Sequence, residues 1–404
     1  MRNYIILSTV FTAAMSFSLT AMANEKLNWR GFAELNYDKF PQFIGNMDGQ
    51  QYTNPIQVEK SGAGKLQLET GYSPQGSALS FNSRLYVRYD TENSDRNDER
   101  FDELWVHYSL SEWDFRAGTQ LITWGSVESV SPLDVINPRD YEEDIVEPIK
   151  IGTPAVRARR RFSSSELTFF WLPYYQPTRY VGPQSYYAIG GGIPNDYPES
   201  RWHGDQYAAR YFFNGDGYDI GISYLDAYER NAGFEPDETA TRLIGETYHS
   251  RRFGFEATYT LDELILKSEI VYRTSDEIDN KRTWLYSLGT EYTASSFIAH
   301  SDLTFFAEYL AASSNAQAIE LMQDDIFVAA RWSFNDLYQQ RFQLGYFLDL
   351  DDTSGYAIRA EYKISPIESW DIGLRYTATR HYYPSPEHTE SDTSVYRLFL
   401  RASF

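Results

Sequence analysis

Tyr356-Ala357-Ile358-Arg359-Ala360-Glu361-Tyr362-Lys363-Ile364 alternates without exception. Tyr356, Ile358, Ala360, Tyr362 and Ile364 fall on one side of an extended chain; Ala357, Arg359, Glu361 and Lys363 fall on the other. Successive side chains of a β-strand point to opposite faces, so this run reads as a strand with one apolar and one charged face. The same period recurs upstream. From 79 to 90, Leu79, Phe81, Ser83, Leu85, Val87 and Tyr89 share a face, opposite Ser80, Asn82, Arg84, Tyr86, Arg88 and Asp90. Comparable runs stand at 27–37, 65–72, 101–110, 113–121, 155–162, 167–172, 207–213 and 218–224. More follow: one ending near 261, then 264–272, 284–292, 303–310, 327–334, 342–348, 370–378 and 396–404.

The connections alternate as well. Short ones at 73–77, 111–112, 163–165, 214–217, 262–263, 335–339 and 365–367 interleave with long ones at 38–62, 123–152, 173–202, 226–241, 312–324 and 380–393. Asn214-Gly215 and Asp216-Gly217 are hairpin signals. Short turns at one end and long loops at the other mark a transmembrane barrel. An even strand number then gives about 18 strands, with 16 as the alternative, and both termini periplasmic. Membrane-spanning strands need roughly 9–11 residues, which these runs approach. Strands of soluble sheets average about 5–6, so a soluble sandwich fits less well. No repeat of blade length is present, which counts against a propeller. The expected fold class is all-β, an antiparallel transmembrane β-barrel with an inward-folded loop. Arg or Lys facing lipid costs roughly 2–4 kcal/mol at the midplane. The faces bearing Arg84, Arg88, Arg116, Arg157, Arg159, Arg210, Arg331, Arg359 and Arg375 are therefore assigned to the lumen.

The chain has 404 residues and opens with Arg2, an apolar run and Ala21-Met22-Ala23. That order reads as a secretory signal peptide over 1–23, leaving 24–404 as the barrel. Its removal would make the net charge of −21 one unit more negative. Mean hydropathy is −0.51, yet 17% of the residues are aromatic. An exported, aromatic-rich, alternating chain fits an outer-membrane barrel. No Cys is present, so neither disulfides nor thiolate chemistry enter. The acidic balance argues against nucleic acid as a partner. Neither a metal site nor a cofactor is expected. His107, His203, His249, His300, His381 and His388 adjoin no nucleophile motif and have no zinc spacing, so catalysis is not expected.

One stretch breaks the period. Gly118-Thr119-Gln120-Leu121-Ile122-Thr123-Trp124-Gly125 and the residues through Asp144 carry Pro132, Pro138 and several carboxylates. Each Pro removes a donor and fixes φ, so this is no central strand. It reads as an acidic loop folded against a basic wall, a constriction or plug over 118–152. Arg84, Arg88, Arg116, Arg157, Arg159 and Arg210 flank it and form a positive ladder. Charge rings set the selectivity of pores. The competing reading makes these arginines counter-charges for Glu69, Glu103, Asp114 and the loop acids, since buried charges are normally paired. Within the loop, Asp134, Asn137 and Asp140 are turn-capping candidates, and Trp124 is expected to pack on the wall.

The last run, Tyr396-Arg397-Leu398-Phe399-Leu400-Arg401-Ala402-Ser403-Phe404, resembles the ending of bacterial outer-membrane barrels. Trp124-Gly125 with Asp134-Val135-Ile136-Asn137-Pro138-Arg139-Asp140 is similar to a stretch of porin-like families of proteobacteria. In size the chain also resembles alginate-export barrels. These resemblances imply a Gram-negative outer membrane, contact with its lipid and lipopolysaccharide, and recognition of Phe404 by the outer-membrane assembly machinery. The expectation is a channel for small hydrophilic, anionic solutes. The alternative is an export barrel for a polysaccharide, or a component of a lipid or hydrophobic-substrate export system.

Overall fold

The computed structural model describes residues 27–40, 44–47, 50–53, 58–182, 198–236, 243–277, 282–313, 324–351, 353, 355–380 and 389–404. The expected signal peptide, 1–23, lies outside the described residues. Eighteen strands form one closed antiparallel barrel. They are β1 (Leu27–Lys39), β2 (Lys60–Tyr72), β3 (Leu79–Asp90), β4 (Asp98–Leu110), β5 (Trp113–Gln120) and β6 (Thr153–Arg161). Then come β7 (Ser165–Trp171), β8 (Tyr207–Asn214), β9 (Tyr218–Tyr228), β10 (His249–Leu261), β11 (Leu264–Thr274) and β12 (Arg282–Ala294). The last six are β13 (Asp302–Ala312), β14 (Asp324–Ser333), β15 (Arg341–Asp349), β16 (Tyr356–Ile367), β17 (Trp370–Arg380) and β18 (Thr389–Ser403). Each run with period 2 lies on one of these strands. β1 and β18 pair from Phe32↔Ser403 to Lys39↔Tyr396 and close the sheet. Closure removes the unpaired edges that an open sheet would present.

The outward face carries Leu104, Val106, Ile222, Leu288, Leu344 and Leu398, all exposed. Exposed Tyr72, Tyr218, Tyr259 and Tyr292 stand near the short-turn ends, and Tyr37, Trp171, Tyr207, Trp284 and Tyr309 toward the opposite ends. Amphipathic rings at both borders of an apolar band are what a bilayer's two interfaces favour.

Register shifts twice among the described residues, once beside the β16–β17 turn, from Ile364↔Ile372 to Ile367↔Trp370, and once within the wall. The β3–β4 register jumps between Arg84↔Glu103 and Leu85↔Phe101, leaving Asp102 as an extra residue. Both Asp102 and Glu103 are buried while Phe101 and Leu104 stay exposed outside. A bulge of this kind turns two successive side chains to one face.

The inside is not uniformly polar. Phe170, Ala208, Leu225, Ala227, Val271 and Leu285 form an apolar patch on β7–β9, β11 and β12, and Ile122, Trp124, Leu133 and Ile136 pack on it. A small core therefore sits inside the barrel, between wall and inward stretch. Burial of apolar area there is what draws the stretch in.

Candidate functional site

β5 runs to Gln120, so residues 118–120 belong to the wall. The chain leaves the sheet at Leu121 and rejoins it at Thr153. Asn137 ties both ends of this excursion together. Its Oδ1 accepts the Ile122 N–H at 2.7 Å, and its Nδ2 donates to the carbonyls of Gln120 at 3.0 Å and Ile151 at 2.8 Å. A short amide side chain with both donors and an acceptor suits that task. Asp134 accepts from the Trp124 N–H at 3.3 Å and pairs with Lys150 at 2.7 Å and Arg139 at 3.1 Å. Trp124 is buried, edge-on to Phe170 with ring centroids 6.1 Å apart. Asp140 pairs with Arg100 at 2.8 Å and Arg179 at 3.4 Å.

Two glycines make room for the stretch. Gly125 has φ +92, and a Cβ there would stand 2.2 Å from Ser131 Oγ and 2.7 Å from Glu269 Oε1. Gly254 on β10 leaves a notch in the wall, because a Cβ there would stand 2.2 Å from Leu133 Cδ2. Both close approaches need a residue without a Cβ.

The excursion touches three sectors of the wall. Glu269 on β11 accepts the N–H groups of Ser126 and Val127 and the hydroxyl of Ser131. Glu308 on β13 accepts the N–H groups of Glu128 at 2.6 Å and Ser129 at 3.0 Å, together with the Ser129 hydroxyl. Arg359 on β16 and Arg375 on β17 hold Asp144 at 3.1 and 3.6 Å. Lys65 on β2 and Arg88 on β3 both pair with Glu143, which also accepts from Tyr86 at 2.9 Å. Residues 121–152 therefore lie within the barrel and span its lumen. Burial works to raise the Asp144 pKa, but Arg359, Arg375 and Arg397 outweigh it and hold the carboxyl below its ordinary value. Burial pushes the Tyr141 hydroxyl up to about 12.

The six arginines of the expected ladder divide sharply. Arg84 lies between Glu69 and Glu103, at 3.1 Å from each. Arg88 meets Glu143 and, at 3.7 Å, Asp90. Arg159 pairs with Asp114 at 3.0 Å and Glu166 at 3.4 Å. Arg210 pairs with Glu256 at 2.7 Å. Four thus have carboxylate partners. Arg116 and Arg157 are direct partners across the β5–β6 pairing, and neither has an ion pair among the described residues. The Arg116 guanidinium lies over the Trp105 ring, 3.8 Å from its centroid. The expected opposition of ladder and acidic loop holds at Arg88 alone. The other loop acids meet Arg100, Arg179, Arg359, Arg375, Lys150 and Lys267, several far along the chain.

Phe404 sits at the short-turn end. Its backbone N–H donates to the Gly31 carbonyl at 3.0 Å, and its ring lies 5.5 Å from that of Trp29. Sequence reading missed Glu269, Glu308, Lys65 and Gly254 as residues of this site. Period 2 puts the two glutamates on inward faces, but nothing local distinguishes them from other inward carboxylates.

No protein-family model matches the chain, and no curated protein matches it. Solved structures do. The crystal structure of Pseudomonas aeruginosa OccK11 (OpdR) superposes with a TM-score of 0.53 at 8% identity, covering 93% of this chain and 95% of that one. The crystal structure of Pseudomonas aeruginosa OpdQ gives 0.50 at 14% identity, covering 93% and 99%. At such identities the likeness is one of fold, the barrel of outer-membrane porins.

Proposed function

We propose that this barrel is an outer-membrane channel that passes small hydrophilic solutes and favours anions, with residues 121–152 as its constriction. In this reading the chain is exported through a signal peptide over 1–23, and its outward face meets outer-membrane lipid and lipopolysaccharide. A barrel of this strand number leaves an aqueous lumen unless something narrows it. The observation that carries the anion preference is the Arg116–Arg157 pair. Two adjacent guanidiniums without a carboxylate repel each other, and mobile anions relieve that repulsion. Net charge of −21 does not oppose this. Exposed charge is screened beyond roughly 8 Å at physiological salt, while charge in a narrow pore is screened less.

The test is R116A/R157A in planar bilayers under a salt gradient. The reversal potential should move towards cation selectivity and carboxylate flux should fall. D216N, in an exposed short turn, should change neither. An unmoved reversal potential in the double variant would leave the two arginines without a part in selectivity.

A further inference from the structure

At the long-loop border of the barrel two lysines stand face to face. Lys39 ends β1, Lys60 begins β2, and the two are direct partners across the β1–β2 pairing. Both are exposed, while their chain neighbours Asp38 and Ser61 are buried on the lumen side. The alternation of a strand therefore points both lysines outward, on the face of exposed Tyr37. Directly opposed residues of an antiparallel pair have Cβ atoms about 4.5–5.5 Å apart, and like charges there are destabilising. Neither lysine has an ion pair among the described residues. Two outward arginines elsewhere do. Arg160, at the short-turn border, meets Glu112 at 3.4 Å, and Arg251 on β10 meets Asp226 at 3.5 Å.

The lysine pair belongs to a lateral row. Register runs Tyr376↔Tyr396 across β17–β18, Tyr396↔Lys39 across β18–β1, then Lys39↔Lys60. The two tyrosine rings lie 4.8 Å apart, and Tyr396 is exposed. The next outward row towards the middle of the barrel holds Leu398, Tyr37 and Gly62, and the one after it Leu400, Leu35 and Gly64. A Cβ on Gly62 would meet nothing nearer than 3.7 Å, so the surface is open there. Under the lysines, β2 thus presents two successive outward positions without a side chain, beside the apolar rows of β1 and β18.

We propose that Lys39 and Lys60 bind a phosphate of the phosphorylated, multiply acylated glycolipid of the outer leaflet, with one acyl chain lying along Gly62 and Gly64. A phosphate monoester brings between one and two negative charges and three acceptor oxygens, so it bridges two ammonium groups and cancels their repulsion. The lysine stems lie along the tyrosine-lined surface while their charged ends stand at headgroup depth. A zwitterionic phospholipid carries its own ammonium beside its phosphate and suits the pair less well. The site rests on the outer-membrane reading for which lipid meets the long-loop border, and not on the passage of solute.

Native mass spectrometry of the full chain in non-ionic detergent micelles counts bound diphosphoryl lipid A, with dephosphorylated lipid A and phosphatidylethanolamine as comparisons. Diphosphoryl lipid A should bind, and the other two far more weakly. Each lysine near an anionic membrane surface is worth roughly fivefold, so K39Q/K60Q should weaken binding about thirtyfold. K39R/K60R should keep it. G62V, which fills the open position and leaves both lysines in place, should weaken it as well. Heat-modifiable gel migration checks that the variants remain folded barrels. Equal binding of phosphorylated and dephosphorylated lipid A, or unchanged binding in K39Q/K60Q, would overturn the site. The chain has no Cys, so S200C, exposed in the long connection before β8, gives a single thiol. A membrane-impermeant maleimide should label it on intact cells; an unlabelled thiol would place the lysines in the periplasmic leaflet and overturn the choice of lipid. Lysine-dependent binding in a barrel without ionic current would keep the site and end the channel reading. Current with lysine-independent binding would do the reverse.

Discussion

The two halves of the inward stretch are fastened chiefly by different means. Residues 126–131 are held mainly by Glu269 and Glu308, which accept backbone N–H groups and serine hydroxyls, with one ion pair, Glu128–Lys267 at 3.0 Å, whose carboxylate is partly exposed. Neither Glu269 nor Glu308 has an ion pair among the described residues, and both are buried. Residues 140–147 are held by ion pairs, in which the loop supplies the carboxylates and the wall the cations. For the first half, the specifying side chains stand on the wall, and the loop offers mainly its backbone. For the second half, both sides must carry matched charges. Breaking a buried ion pair leaves an uncompensated charge, whereas a hydrogen bond to a charged group is worth about 1.5–3 kcal/mol. The ion-paired half is thus the anchor and the 126–131 half the more easily released.

The largest effect should come from the anchor. Glu143→Ala strands Lys65 and Arg88 in a buried site. The loss should be about 3 kcal/mol, the lower end for a broken buried pair. It is limited because Lys65 keeps Glu34 at 3.3 Å and Arg88 keeps Asp90 at 3.7 Å. The unfolding temperature in heat-modifiable migration should drop, and an unchanged temperature would deny the anchor its role.

A smaller effect, with a different readout, is expected at the other half. E269Q/E308Q removes the charge and replaces one accepting oxygen of each residue by an NH2 donor, which should loosen residues 126–131 by about 2 kcal/mol. Single-channel records should gain a higher-conductance state while the unfolding temperature moves little. If conductance is unchanged and the unfolding temperature falls, the two halves are one unit and the contrast between them is lost.

The smallest effect is the pH response of the anchor. The folded-state pKa of Asp144 is depressed, so its contribution to stability is fully present above its unfolded value of about 3.9 and is lost as pH falls towards the folded value. The stability difference between wild type and D144N should stay flat from about pH 8 to about pH 5, then shrink in stronger acid. A slope across the neutral range would mean that Asp144 is not held by Arg359 and Arg375.

Much of the barrel was legible in the residues themselves. Which side chains face lipid follows from period 2 and the cost of burying charge in a bilayer, both local. All eighteen strands, the alternation of turns and loops, and the inward faces of the six arginines come from that rule. Asn137 stood out because an Asn beside Pro138 is a turn signal, although it bonds to Ile122, Gln120 and Ile151 rather than within its own turn. That acids of the inward stretch would meet lumen arginines was legible, as Arg88, Arg359 and Arg375 do; which acid meets which cation, and that Glu269 and Glu308 hold residues 126–131, was not. The fasteners of the stretch lie 143 residues away for Ser126–Glu269, 179 for Ser129–Glu308 and 215 for Asp144–Arg359. Period fixes a side chain's face but not its height or neighbours, which depend on strand pairing around the closed sheet. Register alone sets Arg159 opposite Asp114 and Arg157 opposite Arg116. One guanidinium is thereby neutralised and the other left charged, a difference that two arginines two positions apart in Ala155-Val156-Arg157-Ala158-Arg159 do not reveal.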